Sequence, residues 1–317
     1  MGGPVFETDI LGSPYVARTL ALRPDAEGEV VATLVHRPAE LTTGRAVLHV
    51  HGFADYFFQT PAADFWTGRG YDFYALDLRR YGRSLRPHQT PNYTADLREY
   101  YEELDAAYAI VREEHDQVVV SGHSTGGLTL SLWADDRRPQ IVGVVLNSPW
   151  LDMQGSALRR VVGTQLVHGV GARRPLREIR RKVDGFYARS IHRDHEGEWD
   201  FSLDWKPLTS WPVYVGWFSA VRKGHRRVHR GIDVGAPVLV LSSAASGVPA
   251  SMTDASVRTA DIVLDVEQIR RWAPYLGTHV TLARIEGAIH DVTLSAEEPR
   301  RRVFDEIGRW LSAYVER

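Results

Sequence analysis

Gln117-Val118-Val119-Val120-Ser121-Gly122-His123-Ser124-Thr125-Gly126-Gly127 decides the reading of this chain. The apolar run into Gly122 reads as a strand. Leu128-Thr129-Leu130-Ser131-Leu132-Trp133, which follows, reads as a helix. Between them the chain turns sharply, with a serine at the apex. Such a turn brings backbone atoms so close that the positions two before and two after the serine need small residues, and Gly122 and Gly126 supply them. The pattern is that of a nucleophile elbow, in which Ser124 Oγ is held off the end of the sheet beside the positive end of the following helix.

Working outward, Glu29–Arg37 reads as a strand ended by Pro38, and Arg45–Val50 as an apolar strand running into His51-Gly52-Phe53-Ala54-Asp55. Tyr71–Leu78 reads as another, closing in Asp77…Gly82-Arg83-Ser84. Leu97, Tyr101, Leu104, Tyr108 and Val111 recur at alternating steps of four and three, which predicts a helix with one apolar face, capped by Thr94. After the elbow come a helix to about Arg138, strand Ile141–Leu146, strand Pro237–Ser242, a helix around Val266–Leu276, strand His279–Ile285 and a last helix. Ser295 and Glu298 are spaced as a capping box for that helix, with Pro299 in its first turn. Strands alternating with helices predict an α/β fold with a mostly parallel central sheet flanked by helices. The alternation fails between Gln154 and Arg230. Residues 153–230 are therefore expected to be an inserted cap, with 1–152 and 231–317 forming the core.

The composition is that of a globular chain, 44% hydrophobic and 25% charged, with a formal net charge of −2 that gives no reason to expect nucleic acid as a partner. Cysteine is absent, so thiolate nucleophiles, thiolate metal sites and disulfides are excluded. No apolar run is long enough for a membrane span and the first residues lack a signal-peptide pattern, so a cytoplasmic location is expected. No G-x-G-x-x-G and no P-loop is present; no cofactor is expected. His192-x-x-His195-Glu196 departs from the usual helical zinc patterns and reads as a charged surface loop, and no metal is expected.

A serine hydroxyl needs a base to take its proton, normally a histidine oriented by a carboxylate. After an elbow the acid comes next in the chain and the histidine last. Of the histidines beyond Ser124, His290 alone falls in a loop just past a late strand, in Glu286-Gly287-Ala288-Ile289-His290-Asp291, whereas His279 begins its strand and belongs at the opposite edge. The acid should follow the strand Val238–Leu241, but Ser243–Ser251 holds none. Asp254, Asp261, Asp265 and, after the preceding strand, Asp152 are the candidates; Asp261 is preferred, and Asp265 is well placed as an N-cap. The backbone N–H groups of Thr125 and Phe53 are the candidate oxyanion donors. His49 and His51 share a strand face, and His51 is expected to order the oxyanion loop.

Taken together, His51-Gly52, Asp77…Gly82-Arg83-Ser84, Gly122-His123-Ser124-Thr125-Gly126-Gly127, Pro237–Leu241 and Glu286-Gly287-Ala288-Ile289-His290 resemble the α/β-hydrolase superfamily, in its monoacylglycerol-lipase-like, serine-aminopeptidase-type branch. In that branch an Ala-Asp-x-x-x-Asp motif carries the catalytic acid in its first aspartate. Ala260-Asp261-Ile262-Val263-Leu264-Asp265 is similar, delayed by an insertion over about Ala244–Thr259. The resemblance implies a serine hydrolase acting on small-molecule carboxylic esters, with a lipase-like preference for apolar acyl groups; a peptidase, thioesterase or acyltransferase using the same residues, or a ligand-binding protein of this fold without turnover, are the alternatives. In the cap, Trp199, Trp205, Trp211 and Trp217 either wall the acyl pocket or hold the cap on the core. Gly155–Lys182, with eight Lys/Arg and one acidic residue (Glu178), is suited to an anionic substrate or a lipid surface, though a solvated face is the commoner meaning of such a run.

Overall fold

Alternate residues along the apolar strands go to opposite sides of one sheet. The computed structural model describes residues 6–153, 174–180 and 183–316. Its nine strands are β1 (Glu7–Thr8), β2 (Val16–Asp25), β3 (Gly28–Arg37), β4 (Arg45–Val50), β5 (Tyr71–Asp77), β6 (Gln117–His123), β7 (Gly143–Asn147), β8 (Val238–Ser243) and β9 (Val280–Ile285), in the order β1-β2-β3-β5-β4-β6-β7-β8-β9. Strands β4 to β9 are mutually parallel, while β1, β2 and β3 join antiparallel. This is the mostly parallel, helix-flanked sheet that the sequence predicts, with the β1–β2 edge added.

Both faces of the sheet are covered, which is why β6 and β8 read as unbroken apolar runs rather than as alternations. Val118, Val120, Val238 and Val240 pack on one side, under helices Tyr101–Glu114, Thr125–Arg137 and Val215–Val228. Val119, Leu239 and Leu241 pack on the other, under helices Thr60–Gly68 and Glu297–Tyr314. The predicted amphipathic helix holds: Leu97, Tyr101, Leu104 and Val111 are buried. Its cap is Asp96, which accepts from Arg98 N, and not Thr94, which bonds Asp96 instead. The predicted capping box at Ser295 does not form. The last helix starts at Glu297 after Ala296, and Ser295 Oγ accepts from Ile289 N (3.1 Å) in the loop after β9.

Register brings the chemistry to one edge. Val50 pairs with Gly122, Gly122 with Leu146, His123 with Asn147, and Asn147 with Leu241. The loops leaving β4, β6, β7, β8 and β9 therefore emerge together at the carboxyl ends of the strands, where ligand sites of open parallel sheets form. Among the described residues no helix is long and apolar enough to cross a membrane.

Candidate active site

The elbow is drawn tight by its glycines. Ser124 sits at φ 52° and ψ −118°, a conformation a side chain adopts only when its surroundings hold it there. A Cβ on Gly126 would stand 2.2 Å from His51 O, and one on Gly122 2.8 Å from Gly127 Cα, so neither position admits a larger residue. Ser124 N donates to Asn147 O (3.0 Å), and Trp150 N donates to Ser124 O (3.0 Å). The serine is thereby pinned between β6 and the loop after β7.

The turn after β4 lies directly against it. A Cβ on Gly52 would meet Ser124 Cβ at 3.0 Å and His123 Nδ1 at 3.1 Å. His51 holds this turn as expected. Its Nε2 accepts from Leu78 N (3.1 Å), which leaves the proton on Nδ1 to be donated to Gly52 O (2.8 Å). Burial, the leading cause, pushes the His51 pKa down and keeps the ring neutral. Among the described residues neither Phe53 N nor Thr125 N has an internal acceptor.

His290 and Asp261 meet. His290 Nδ1 donates to Asp261 Oδ2 (2.8 Å), both side chains being almost wholly buried. Asp261 Oδ1 accepts from Val263 N (2.8 Å) and Leu264 N (2.7 Å). The insertion after β8 folds back so that Asp261 N donates to Ala245 O, which returns the acid to the strand's end. The other three aspartates are occupied elsewhere. Asp265 caps helix Val266–Trp272 by accepting from Glu267 N. Asp254 accepts from Ser256 N and Oγ. Asp152 accepts from Arg222 Nη1 (2.7 Å), beside a His225 whose pKa is pushed down to about 3 by burial and by that arginine.

A second buried group stands behind the elbow, and sequence reasoning missed it. Asp55 Oδ1 accepts from Lys206 Nζ (2.9 Å), and Asp55 Oδ2 lies 3.3 Å from His123 Nδ1. Asp55, His123 and Asp291 present ligand atoms within 4.8 Å of one another. They do not make a good metal cage. Lys206 already supplies a cation to Asp55, and Asp291 is taken up by Asn147 Nδ2 (2.6 Å), Gln59 Nε2 (3.2 Å) and Thr293. Burial acts to raise the Asp55 carboxyl, but Lys206 and His123 outweigh it and hold it well below the usual carboxylate range. A protein lacking that ammonium keeps a buried, uncompensated charge. Lys206→Met should therefore cost about 3–5 kcal/mol of stability at neutral pH, measured by urea unfolding. Because Asp55 is ionised in the native state, the loss should shrink as pH falls and the carboxyl takes up a proton.

The tryptophans divide. Trp199 Nε1 donates to Leu294 O (2.9 Å) and Trp205 stands edge-on to Tyr56 at 5.1 Å, so these two fasten residues 199–211 to the sheet's end, while Trp211 Nε1 donates to Trp205 O (3.0 Å) within that stretch. Trp217 meets Phe53 at a tilt with ring centroids 4.2 Å apart and lies 5.9 Å from Trp150, whose N–H bonds Ser124 O. His192 spends both ring nitrogens internally, on Phe201 O (3.1 Å) and Asp194 N (3.1 Å), as suits a structural loop. Most of the basic run within 155–182 lies outside the described residues.

Residues 42–297 match the serine aminopeptidase S33 family, Hydrolase_4. The chain belongs to this family of α/β-hydrolases. Phospholipase YtpA of Bacillus subtilis (strain 168) is 30% identical over 110 residues, which is 34% of this chain and 41% of that relative, so the chain matches less than half of that protein's length. In fold, this α/β-hydrolase is similar to the monoacylglycerol lipase of Paleococcus ferrophilus (TM-score 0.64, 22% identity, 89% of this chain and 99% of that one). It is also similar to a soluble variant of monoglyceride lipase from Saccharomyces cerevisiae, solved with a substrate analogue (TM-score 0.65, 14% identity, 94% and 96% covered). A carboxyl esterase from Bacillus coagulans gives a TM-score of 0.66 at 12% identity, with 94% and 98% covered.

Proposed function

We propose that this hydrolase cleaves carboxylic esters with apolar acyl groups through an acyl-enzyme. The observation that carries the reading is the buried His290–Asp261 pair facing the edge where the strained elbow presents Ser124. Ser124 Oγ attacks the carbonyl carbon while His290 Nε2 takes its proton, and Asp261 fixes the tautomer and balances the imidazolium. The N–H groups of Phe53 and Thr125 receive the tetrahedral oxyanion. Collapse breaks the bond to the alcohol, which leaves with the proton from His290. Water, deprotonated by the same histidine, then releases the acid and restores Ser124.

Two features favour an ester with an apolar acyl group over a peptide with a free amino end. The tilted Phe53–Trp217–Trp150 cluster makes the surroundings of the nucleophile apolar. The buried carboxylates at the site, Asp261, Asp55 and Asp291, already have internal partners and are not free to hold an ammonium. Residues 153–230 serve as the cap in this reading; their last helix, Val215–Val228, packs into the core and supplies Trp217. The basic run within 155–182 is proposed to face anionic or lipid surroundings.

Hydrolysis of p-nitrophenyl esters from acetate to palmitate tests the reading. Wild type should turn over this series with an optimum above acetate, and Trp217→Ala should cut the preference for the optimal chain over acetate by about 10-fold, a size typical of a few lost methylene contacts. Absence of turnover on every ester would overturn the assignment.

A further inference from the structure

His123 precedes the nucleophile, is almost fully buried, and takes no part in the chemistry written above. Its surroundings are charged on every side. From the loop after β4, Asp55 Oδ2 faces Nδ1 at 3.3 Å. From the loop after β9, Asp291 brings a carboxylate oxygen within 4.8 Å of a ring nitrogen, and the His290 ring stands 4.9 Å away, centroid to centroid. From the stretch before helix Val215–Val228, Lys206 reaches Asp55. From β4 and its end come His49 and His51, both kept neutral by burial, His49 with its pKa pushed down to about 4. Tyr187 receives Asp291 N on its hydroxyl and is pushed further from ionising by burial.

Three carboxylates are buried here. Asp261 is met by His290 and by the Val263 and Leu264 N–H groups, and Asp55 by Lys206. Asp291 is met by the neutral donors Asn147, Gln59 and Thr293, and His123 is the titratable ring placed between it and Asp55. As a cation His123 serves both carboxylates, and a buried carboxylate with no cation near it is costly. The placement also has a geometric consequence. Asp55 is two residues from Phe53, Asp291 is next to His290, and His123 is next to Ser124. One ring bonds Asp55 and lies within 4.8 Å of Asp291 and beside the His290 ring, while its Nε2 has no hydrogen-bond partner among the described residues.

We propose that His123 is a positioning residue: held as an imidazolium between Asp55 and Asp291, it ties the loop presenting Phe53 N–H to the loop presenting His290. The inference rests on the serine-hydrolase reading for its catalytic consequence. Burial acts to lower the His123 pKa, but Asp291 and Asp55 overcome it, and the net direction is upward. A charge held by the two carboxylates is lost only as pH rises through that raised value, loosening both loops.

The test combines imidazole nitrogen NMR of the wild-type protein from about pH 5 to about pH 10 with the pH dependence of labelling by a fluorophosphonate probe. Both His123 nitrogens should be protonated at neutral pH. Labelling by wild type should fall on the alkaline side as His123 titrates. His123→Gln should label about 10²-fold more slowly at neutral pH, the cost expected of a misplaced catalytic group, and should lack that alkaline fall. Asp291→Asn should move the fall to lower pH, which keeps the test decisive if His123→Gln does not fold. A neutral His123 at pH 7, or a glutamine variant with the wild-type rate and profile, overturns the inference and leaves the hydrolase reading intact. A wild type that does not label overturns the hydrolase reading, and the positioning role with it, while the NMR titration still decides the charge.

Discussion

Ser124→Ala and His290→Ala should each lower ester hydrolysis by about 10⁴–10⁶-fold, and Ser124→Ala should abolish fluorophosphonate labelling. The size follows from the division of labour. Without Ser124 Oγ there is no atom to acylate, and without His290 the hydroxyl keeps its proton at neutral pH and stays a poor nucleophile. Because the two residues act in one step, Ser124→Ala/His290→Ala should be little slower than either single variant. The elbow itself should survive. Its turn is set by Gly122, by Gly126 and by Ser124 backbone bonds to Asn147 and Trp150, none of which uses the hydroxyl. Among the described residues Ser124 Oγ makes no internal hydrogen bond, so removing it breaks none. Urea unfolding should therefore place Ser124→Ala within about 1 kcal/mol of wild type. A rate within ten-fold of wild type in either single variant would remove the acyl-enzyme mechanism.

Asp261→Asn should cost about 10⁴-fold in kcat while leaving the fold in place. The backbone decides the outcome. Val263 N and Leu264 N both donate to Asp261 Oδ1, so the oxygen of an asparagine amide must stay on that side. Its NH₂ group then faces His290 Nδ1, where the carboxylate oxygen stood at 2.8 Å. Nδ1 becomes an acceptor, the proton moves to Nε2, and the nitrogen that should receive the serine proton is already occupied. Asp265→Asn is the matched control. Asparagine caps a helix about as well as aspartate, so activity should stay within about two-fold. Rates on one p-nitrophenyl ester, with urea unfolding of each variant, separate the cases. A damaging Asp265→Asn beside a harmless Asp261→Asn would transfer the acid role.

How much of this was legible in the sequence depended on how local the physics was. The Val118–Val120 run, the glycines around Ser124 and the loop position of His290 are short-range signals, and they locate the edge of the sheet where these residues gather. The Asp265 cap was legible for the same reason, since a helix start is decided within four residues. The Ser295 capping box was a local signal that lost to a tertiary one: its hydroxyl serves Ile289 N in the loop that carries His290. Strand β2 and helix Thr60–Gly68 carry little local signal: β2 alternates buried and exposed residues only over Thr19–Arg23, and the helix has no side-chain cap.

The sequence by itself determined the α/β alternation and the strand–turn–helix of the elbow, because backbone sterics and hydrophobic periodicity act over a few residues. Only the tertiary structure decided which aspartate reaches His290, that Trp217 rather than Trp199 or Trp205 stands beside Phe53, and that Lys206 crosses 151 positions to meet Asp55. Buried charges are compensated by whatever partner the fold carries to within about 3 Å, and that distance has no counterpart along the chain.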